Sequence, residues 1–291
     1  MSWSGSIGGQ FKLAGRDPLS AGGSFQASTE RAQTVYLERI LNHRRGGHRY
    51  GDSAAQLRRW RERAADGPAP RDFAKALAQG TFPTIIAEIK RASPSKGPLR
   101  PDLDPAQLAR AYEAGGAAAL SVLTEEEYFR GSLDDLVAAR NACVLPVLRK
   151  DFLLEPWEVY EARAHGADAV LLIAAALETP RLAEMQALAH ELGMAALIEV
   201  HDEKELRDVL TVEPRIVGIN NRNLNTFEVD LHTTTRLVAA LPQGVLSVSE
   251  SGFGGVADLA GFENLVDAFL IGESLVTSQD SESALRRLKN C

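Results

Sequence analysis

The apolar positions of this chain change rhythm at about residue 80. Before it they recur at helical spacing. Tyr36, Leu37, Ile40 and Leu41 make one stripe, Leu57, Trp60 and Ala64 a shorter one, and Phe73, Ala76 and Leu77 a third. Gly46-Gly47 and Gly67-Pro68 interrupt these runs. Residues 29–80 therefore read as a helical cap without strands, packed on the main domain near its functional end. From residue 83 onward, short apolar runs alternate with amphipathic stretches. Strands are predicted near 84–89, 117–123, 145–149, 168–173, 195–200, 215–220, 245–249 and 267–271, with helices between them such as Pro105–Ala114, Pro156–Ala164, Pro180–Leu192 and Glu203–Leu210. The three prolines suit a first helical turn, where the missing N–H would have no partner anyway. Gly115, Gly166 and Gly193 are expected to end three of the helices. Eight such units, each about 26 residues long, predict an α/β fold of the (β/α)8 TIM-barrel class over residues 81–291, with the helical segment as an N-terminal extension. A doubly wound open sheet is the alternative, but it would place a glycine-rich dinucleotide turn after the first strand, and none is present.

Polar residues enter this pattern at one place, the C-terminal tips of the strands. A parallel strand covered on both faces should stay apolar along its length. Here Glu88 and Lys90 end the first strand, Lys150 the third, Glu199 the fifth, Asn220 the sixth, and Glu250 with Ser251 the seventh. In a barrel these tips converge on one mouth. Glu88 and Lys90 share alternation parity, so both can point inward. Lysines and carboxylates crowded together pull each other's pKa values apart, which is how one site supplies both an acid and a base. A rim ion pair is the plain alternative for any one of them; Asp151 offers Lys150 such a partner, and Asn220 and Asn221 could simply hold the loop backbone. Ser249-Glu-Ser-Gly-Phe-Gly-Gly255 and Gly272-Glu-Ser-Leu275 follow the last two strands, where barrels commonly cradle phosphate on backbone N–H groups and a helix N-terminus. Gly252, Gly272 and Ser274 are the candidates for that cradle, with Glu273 expected to point away from it.

Composition narrows the partners. Of 291 residues, 45% are hydrophobic and 24% charged, as in an ordinary globular enzyme. Acids outnumber Lys and Arg by 39 to 32, a formal charge of −7, so no basic excess exists to hold nucleic acid. No apolar run is long enough to span a membrane. The two cysteines, Cys143 and Cys291, form neither a disulfide framework nor a zinc cluster, so a reducing cytoplasm is expected. Residues 1–28 are rich in Gly and Ser and are read as a flexible tail; a plastid transit remnant is the alternative. His48, His165, His190, His201 and His232 lack metal-ligand spacing and are read as solvated surface residues, His43 as the end of a helix; no metal is expected.

Taken together, the runs Glu-Ile-Lys-Arg-Ala-Ser-Pro-Ser-Lys-Gly (88–97), Ser-Val-Leu-Thr-Glu (121–125), Tyr-Phe-Arg-Gly-Ser (128–132), Arg-Lys-Asp-Phe (149–152), Ile-Glu-Val-His (198–201), Gly-Ile-Asn-Asn-Arg-Asn-Leu (218–224), Ser-Glu-Ser-Gly (249–252) and Ile-Gly-Glu-Ser-Leu (271–275) resemble indole-3-glycerol-phosphate synthase, in order over residues 30–290. The resemblance implies a decarboxylating and dehydrating ring closure in tryptophan biosynthesis, without a cofactor. The substrate would be 1-(2-carboxyphenylamino)-1-deoxyribulose 5-phosphate, and the products indole-3-glycerol phosphate, carbon dioxide and water. It further implies Lys150 as general acid and Lys90 as anchor of the anthranilate carboxylate, with Glu199 as base or stabiliser of the aminium charge. Asn220 would hold a nearby hydroxyl, Glu88 and Glu250 would orient lysines or hydroxyls, and Ser251 with the glycine loops would meet the phosphate. Phe129, Phe152 and Leu224 would form an apolar wall, and Ser93 and Arg222 would complete the lining. A small phosphorylated metabolite is the expected partner of a monomer or weak homo-oligomer, with other tryptophan-pathway enzymes as protein partners. A different phosphate-binding barrel such as phosphoribosylanthranilate isomerase would need an acid–base pair of Cys and Asp, and Cys143 precedes the third strand rather than following the first. A non-catalytic barrel binding a phosphorylated metabolite or a partner enzyme is the other alternative, separable by a turnover assay.

Overall fold

A computed structural model describes residues 1–2, 35–46, 53–224 and 226–290. Most of the expected tail, His48, Cys291 and the side chain of Tyr36 lie outside the described residues. Eight parallel strands close into a barrel: β1 (Ile85–Ile89), β4 (Ala119–Leu123), β5 (Val147–Lys150), β6 (Ala169–Ile173), β7 (Ala195–Val200), β8 (Ile216–Asn220), β9 (Leu246–Glu250) and β10 (Ala268–Ile271). A two-stranded ribbon, β2 (Ala92–Ser93) with β3 (Gly97–Pro98), folds back after the first barrel strand. It is too short to leave a periodicity in the sequence.

Helices follow the strands: α4 (Pro105–Gly115), α5 (Leu133–Ala142), α6 (Pro156–Ala164), α7 (Thr179–Glu191), α8 (Glu203–Leu210), α9 (His232–Val238), α10 (Val256–Leu259), α11 (Glu273–Val276) and α12 (Ser281–Lys289). Their starts obey local rules. Asp104, Ser132, Asp202 and Asp280 accept backbone N–H groups from the first turns of α4, α5, α8 and α12. The left-handed residue that ends α4 is Gly116; Gly115, expected there, is the last helical residue and packs against Leu285.

Alternation divides the strands between two cores. Residues such as Ala87, Leu120, Val170 and Ile198 face the helices, while Ile86, Leu148, Leu171, Leu197, Val248 and Leu270 fill the barrel. The register orders the interior into layers drawn from alternate strands. Ile86, Leu148, Leu197 and Val248 form one layer from β1, β5, β7 and β9. Two residues further along the same four strands stand Glu88, Lys150, Glu199 and Glu250. The layer nearest the mouth is therefore ionic, and the one beneath it is hydrocarbon.

Three helices precede the barrel: α1 (Val35–Gly46), α2 (Ser53–Ala65) and α3 (Phe73–Ala78). The sequence places all of them near the mouth; only α1 lies there, with Leu37 and Ile40 at the cavity. The second runs along the flank against α6, burying Trp60 and Ala64 and leaving Leu57 exposed. The third closes the opposite end. Phe73 and Leu77 join the barrel interior beside Ala119, Ala169, Ile216 and Ala268, and Arg71 N–H donates to Asp168 just before β6 at 2.7 Å. One apolar stripe thus serves as a plug, because a barrel has two ends to seal.

Candidate active site

The barrel mouth opens into a cavity of about 480 Å³. Glu88, Lys90, Ser93, Phe129, Lys150, Phe152, Glu199, Asn220, Arg222, Leu224, Glu250, Ser251, Gly252, Gly272 and Ser274 all border it. Strand parity brings them together: each inward position at a tip either ends the barrel interior or begins a loop above it.

Lys150 is the centre of charge. Its Nζ lies 3.2 Å from Glu199 Oε2 and 3.4 Å from Glu250 Oε2, with the side chain 15% exposed. Burial works against its positive charge, but Glu199, Glu250 and Glu88 outweigh burial and raise its pKa above the ordinary lysine value. Burial likewise opposes ionisation of Glu199, yet Lys150 and His201 prevail and hold it below the usual carboxylate range. Glu250 goes the other way. Burial and the charge of Glu199 together exceed the pull of Lys150 and push it up to about 8. The two carboxylates beside one ammonium are thus driven in opposite directions, which is how one site can hold both an acid and a base. Glu250 Oε1 has no hydrogen-bond partner among the described residues.

Two glycines make room for this layer. A Cβ at Gly218 would stand 2.2 Å from Glu250 Oε1, and one at Gly272 would stand 2.3 Å from Glu88 Oε1. Gly272 therefore supports a carboxylate as well as bordering the proposed anion end. Lys90 pairs with Glu88 at 2.5 Å, and among the described residues the buried Ser93 Oγ has no hydrogen-bond partner.

The far end of the cavity is built from loops. Ser251 (φ 68°) and Gly252 (φ 96°) are consecutive left-handed residues that bend the chain away from β9. Asn221 holds this bend: its Nδ2 donates to Ser249 Oγ, Glu250 O and Ser251 O at 3.0–3.1 Å, and its Oδ1 accepts from Thr234. Asn220 accepts the Arg222 N–H at 3.0 Å. Ser274 Oγ donates to Phe253 O at 3.2 Å, linking the two glycine loops. Glu273 pairs with Lys96, and both residues border the cavity. The N–H groups of Gly254 and Gly255 are already bound by Asp258, so an anion would face Gly252 and the Gly272–Ser274 turn. Phe129 and Phe152, with ring centroids 6.3 Å apart, form the apolar wall with Leu37, Ile40 and Leu224.

Three features escaped the sequence reading. Leu37 and Ile40 reach the cavity from the N-terminal segment, which only a three-dimensional docking reveals. Asp151 is no partner of Lys150: it points the other way, accepting Thr124 Oγ1 at 2.6 Å and pairing with Arg149 at 3.1 Å and Arg44 at 3.4 Å. His201 is not a solvated surface residue. Its ring is 11% exposed and is wedged between Glu199 and Glu205, and its position two residues past Glu199 was the available signal. Cys143 caps the C-terminal end of α5, its thiol donating to Ala139 O, and does not border the cavity. Among the described residues no His, Cys, Asp and Glu group is arranged to hold a metal ion, and no helix is long and apolar enough to cross a membrane.

Comparison with known proteins places this geometry. Among solved structures, thiamine phosphate pyrophosphorylase from Pyrococcus furiosus superposes with a TM-score of 0.55 at 14% identity, covering 75% of this chain and 96% of that one. An N-acetylmannosamine-6-phosphate 2-epimerase from Clostridium perfringens gives 0.54 at 14% identity over 70% and 90%. At such identity they establish the barrel alone. The sequence relatives go further. Indole-3-glycerol phosphate synthase of Aromatoleum aromaticum is 50% identical over 257 residues, 87% of this chain and 98% of its own. That of Neisseria meningitidis is 54% identical over 208 residues, 71% and 80% of the two chains. The model of the family described as indole-3-glycerol phosphate synthase matches residues 37–288. A family model that matches from the first cap helix to the last barrel helix, with a relative identical at one residue in two over 87% of the chain, means that the chain belongs to the indole-3-glycerol phosphate synthase family.

Proposed function

We propose that the ionic layer at the mouth carries out the ring closure, with Lys150 as the acid and Glu199 as the group that answers positive charge on the substrate. As a member of its family the chain is a carboxy-lyase of tryptophan biosynthesis. The observation that carries the assignment of roles is the position of Lys150 between Glu199 and Glu250 on the cavity floor.

The substrate, 1-(2-carboxyphenylamino)-1-deoxyribulose 5-phosphate, has an aromatic carboxylate at one end and a phosphate at the other, and the cavity is polarised to match. The ring fits between Phe129, Phe152 and Leu224, and its carboxylate meets Lys90. The phosphate fits at Ser251, Gly252, Gly272 and Ser274, and Arg222 and Ser93 line the space between. So held, the aryl carbon bearing the carboxylate faces the ketone carbon, an orientation that itself contributes to rate.

Attack forms the new carbon–carbon bond, and the carbonyl electron pair takes a proton from Lys150. Loss of carbon dioxide returns the bonding pair to the ring. The nitrogen lone pair then expels the hydroxyl as water, with Lys90 or Lys150 giving the proton. The positive charge now on nitrogen is stabilised by Glu199, which accepts the last proton from the adjacent carbon to complete the indole. Asn220 holds the hydroxyl that leaves, and Glu88 and Glu250 orient the lysines. Lys150 is fully charged at rest. When substrate groups draw its carboxylate partners away, burial alone acts on the ammonium and makes it a stronger acid.

Purified protein incubated with this substrate should generate indole fluorescence. In Lys150→Ala the rate should fall about 10²–10⁴-fold, the usual contribution of a positioned acid. A near-wild-type rate in that variant would remove Lys150 from the mechanism. Glu199→Gln should depress kcat more than it raises KM, because its charge matters most as positive charge develops.

A further inference from the structure

The carboxylate at the tip of β7 is held from behind. His201 follows Glu199 by two residues and leaves the strand on the same side. Its Nε2 stands 3.2 Å from Glu199 Oε1, an ion-pair contact outside hydrogen-bond geometry, and its Nδ1 makes a hydrogen-bonded contact of 3.0 Å with Glu205 Oε2. Glu205 belongs to the first turn of α8, whose N-cap Asp202 accepts the Lys204 and Glu205 N–H groups at 2.8 Å. The same Glu205 oxygen accepts the His201 backbone N–H at 2.7 Å, so the anchor is fixed at both ends. The other oxygen of Glu199 faces Lys150. Glu199 is thus bracketed, an ammonium on one oxygen and an imidazole on the other, while His201 does not border the cavity.

Among the described residues, the charged groups nearest this pair come from three strands and one helix. Strand β7 supplies Glu199, α8 supplies Glu205, β5 supplies Lys150, β9 supplies Glu250, and β8 supplies the neutral Asn220. The turn after β6, packed against both β7 and α8, is Ala174–Ala176 and brings no charge. Burial disfavours a charged imidazole, but two glutamates on one ring outweigh it and push His201 up to about 10.

We infer that His201 is a positioning residue for the ring closure, a buried imidazolium clamped between Glu199 and Glu205 that fixes both the charge and the aim of Glu199. The inference rests on the role proposed above for Glu199. Without the imidazolium, Glu199 would have Lys150 as its remaining cationic neighbour and would share it with Glu250, so protonation of Glu199 would begin at higher pH.

The test compares full-length wild type, His201→Leu, His201→Gln and Glu199→Gln by kcat, KM, thermal melt and the pH profile of kcat. His201→Leu should lose at least about tenfold in kcat at neutral pH with KM changed less than about threefold, and its acid limb should move up by about one pH unit or more. His201→Gln keeps a neutral donor beside Glu199. It should recover part of kcat while the displaced limb remains, and it decides the matter alone if the leucine variant fails to fold. A folded variant with wild-type kcat and a wild-type pH profile, even with a lower Tm, would make His201 merely structural and overturn the inference. If Glu199→Gln retains the wild-type rate, the role of Glu199 falls and this inference with it. An inactive Glu199→Gln beside unaltered His201 variants would remove the inference alone.

Discussion

The most demanding residues of the ionic layer are the ones without side chains. Gly218 lies under Glu250 and Gly272 under Glu88, each so close that a methyl group would overlap a carboxylate oxygen. In Gly218→Ala, Glu250 must turn away from Lys150. A displacement on the order of 1 Å can cost about 10²-fold, so kcat should fall by that order while the melting temperature stays within a few degrees. Gly272→Ala should act through Glu88 in the same way. Steady-state kinetics with inorganic phosphate as a competitive inhibitor separate its two roles: kcat should fall with the inhibition constant little changed, and an inhibition constant rising in step would tie Gly272 to the anion instead. Glu250 adds a pH dependence. Burial and Glu199 raise it from 4.5 to about 8, so the folded protein keeps this proton when the unfolded chain has lost it. Stability should therefore fall as pH rises from about 4.5 to about 8 and then level off. Glu250→Gln removes that slope, so its melts should run above wild type at pH 8 and converge toward pH 4.5, at the expense of turnover. The charged members of the layer were legible in the sequence as polar residues at one parity of the strand ends. Gly272 was legible as a loop glycine of the anion end but not as the support of Glu88, and Gly218 was not legible at all, since nothing in Val217-Gly-Ile219 states which side chain lies across the barrel from it.

Between elements, the cap helix is tied to the strand that bears Lys150. Arg44 of α1 pairs with Glu158 at 2.5 Å and Asp151 at 3.4 Å, and Arg149, fully buried, joins Asp151 and Glu161 at 3.1 and 3.0 Å. The helix so anchored carries Leu37 and Ile40 to the cavity wall. Removing one partner from such a cluster leaves a buried charge exposed to low dielectric, typically costing about 3–5 kcal/mol. Arg44→Met should lower stability by that order in denaturant titrations and raise KM, because the apolar wall loses its tether. An unchanged KM would mean that the wall is held by packing alone. The helices were readable from their stripes, but their docking was not. The Arg44 network joins residues more than a hundred positions apart, and periodicity reports only which face is apolar, not what covers it.

At the scale of the whole molecule, the N-terminal segment performs two separate tasks. Removing residues 1–52 takes away α1 and should leave a folded barrel with weaker substrate binding. Removing residues 1–80 also takes away Phe73 and Leu77, opening the interior beside Ala119, Ala169, Ile216 and Ala268 to water. Leu or Phe truncation in a core commonly costs about 2–5 kcal/mol, and two such anchors lie here. The longer deletion should therefore lose its cooperative melt, whereas equal melts for both would show that the plug is dispensable. The barrel itself was legible because eight repeats of one alternation leave few other topologies. The ribbon after β1, which carries Ser93 to the cavity, was not, because two-residue strands have no rhythm.

Glu88, Lys150, Glu199 and Glu250 come from every second strand, so they stand about a quarter turn apart around the barrel axis. Exchanging two of them, as in the double variant Lys150→Glu with Glu199→Lys, conserves the inventory of charges while rotating their arrangement against the fixed ends of the cavity. Such a protein should fold and still bind phosphate, yet release its proton toward the wrong side of the ketone. What the barrel encodes, on this view, is a compass bearing: the scaffold is close to fourfold, and a single lysine tells the substrate which way round it is.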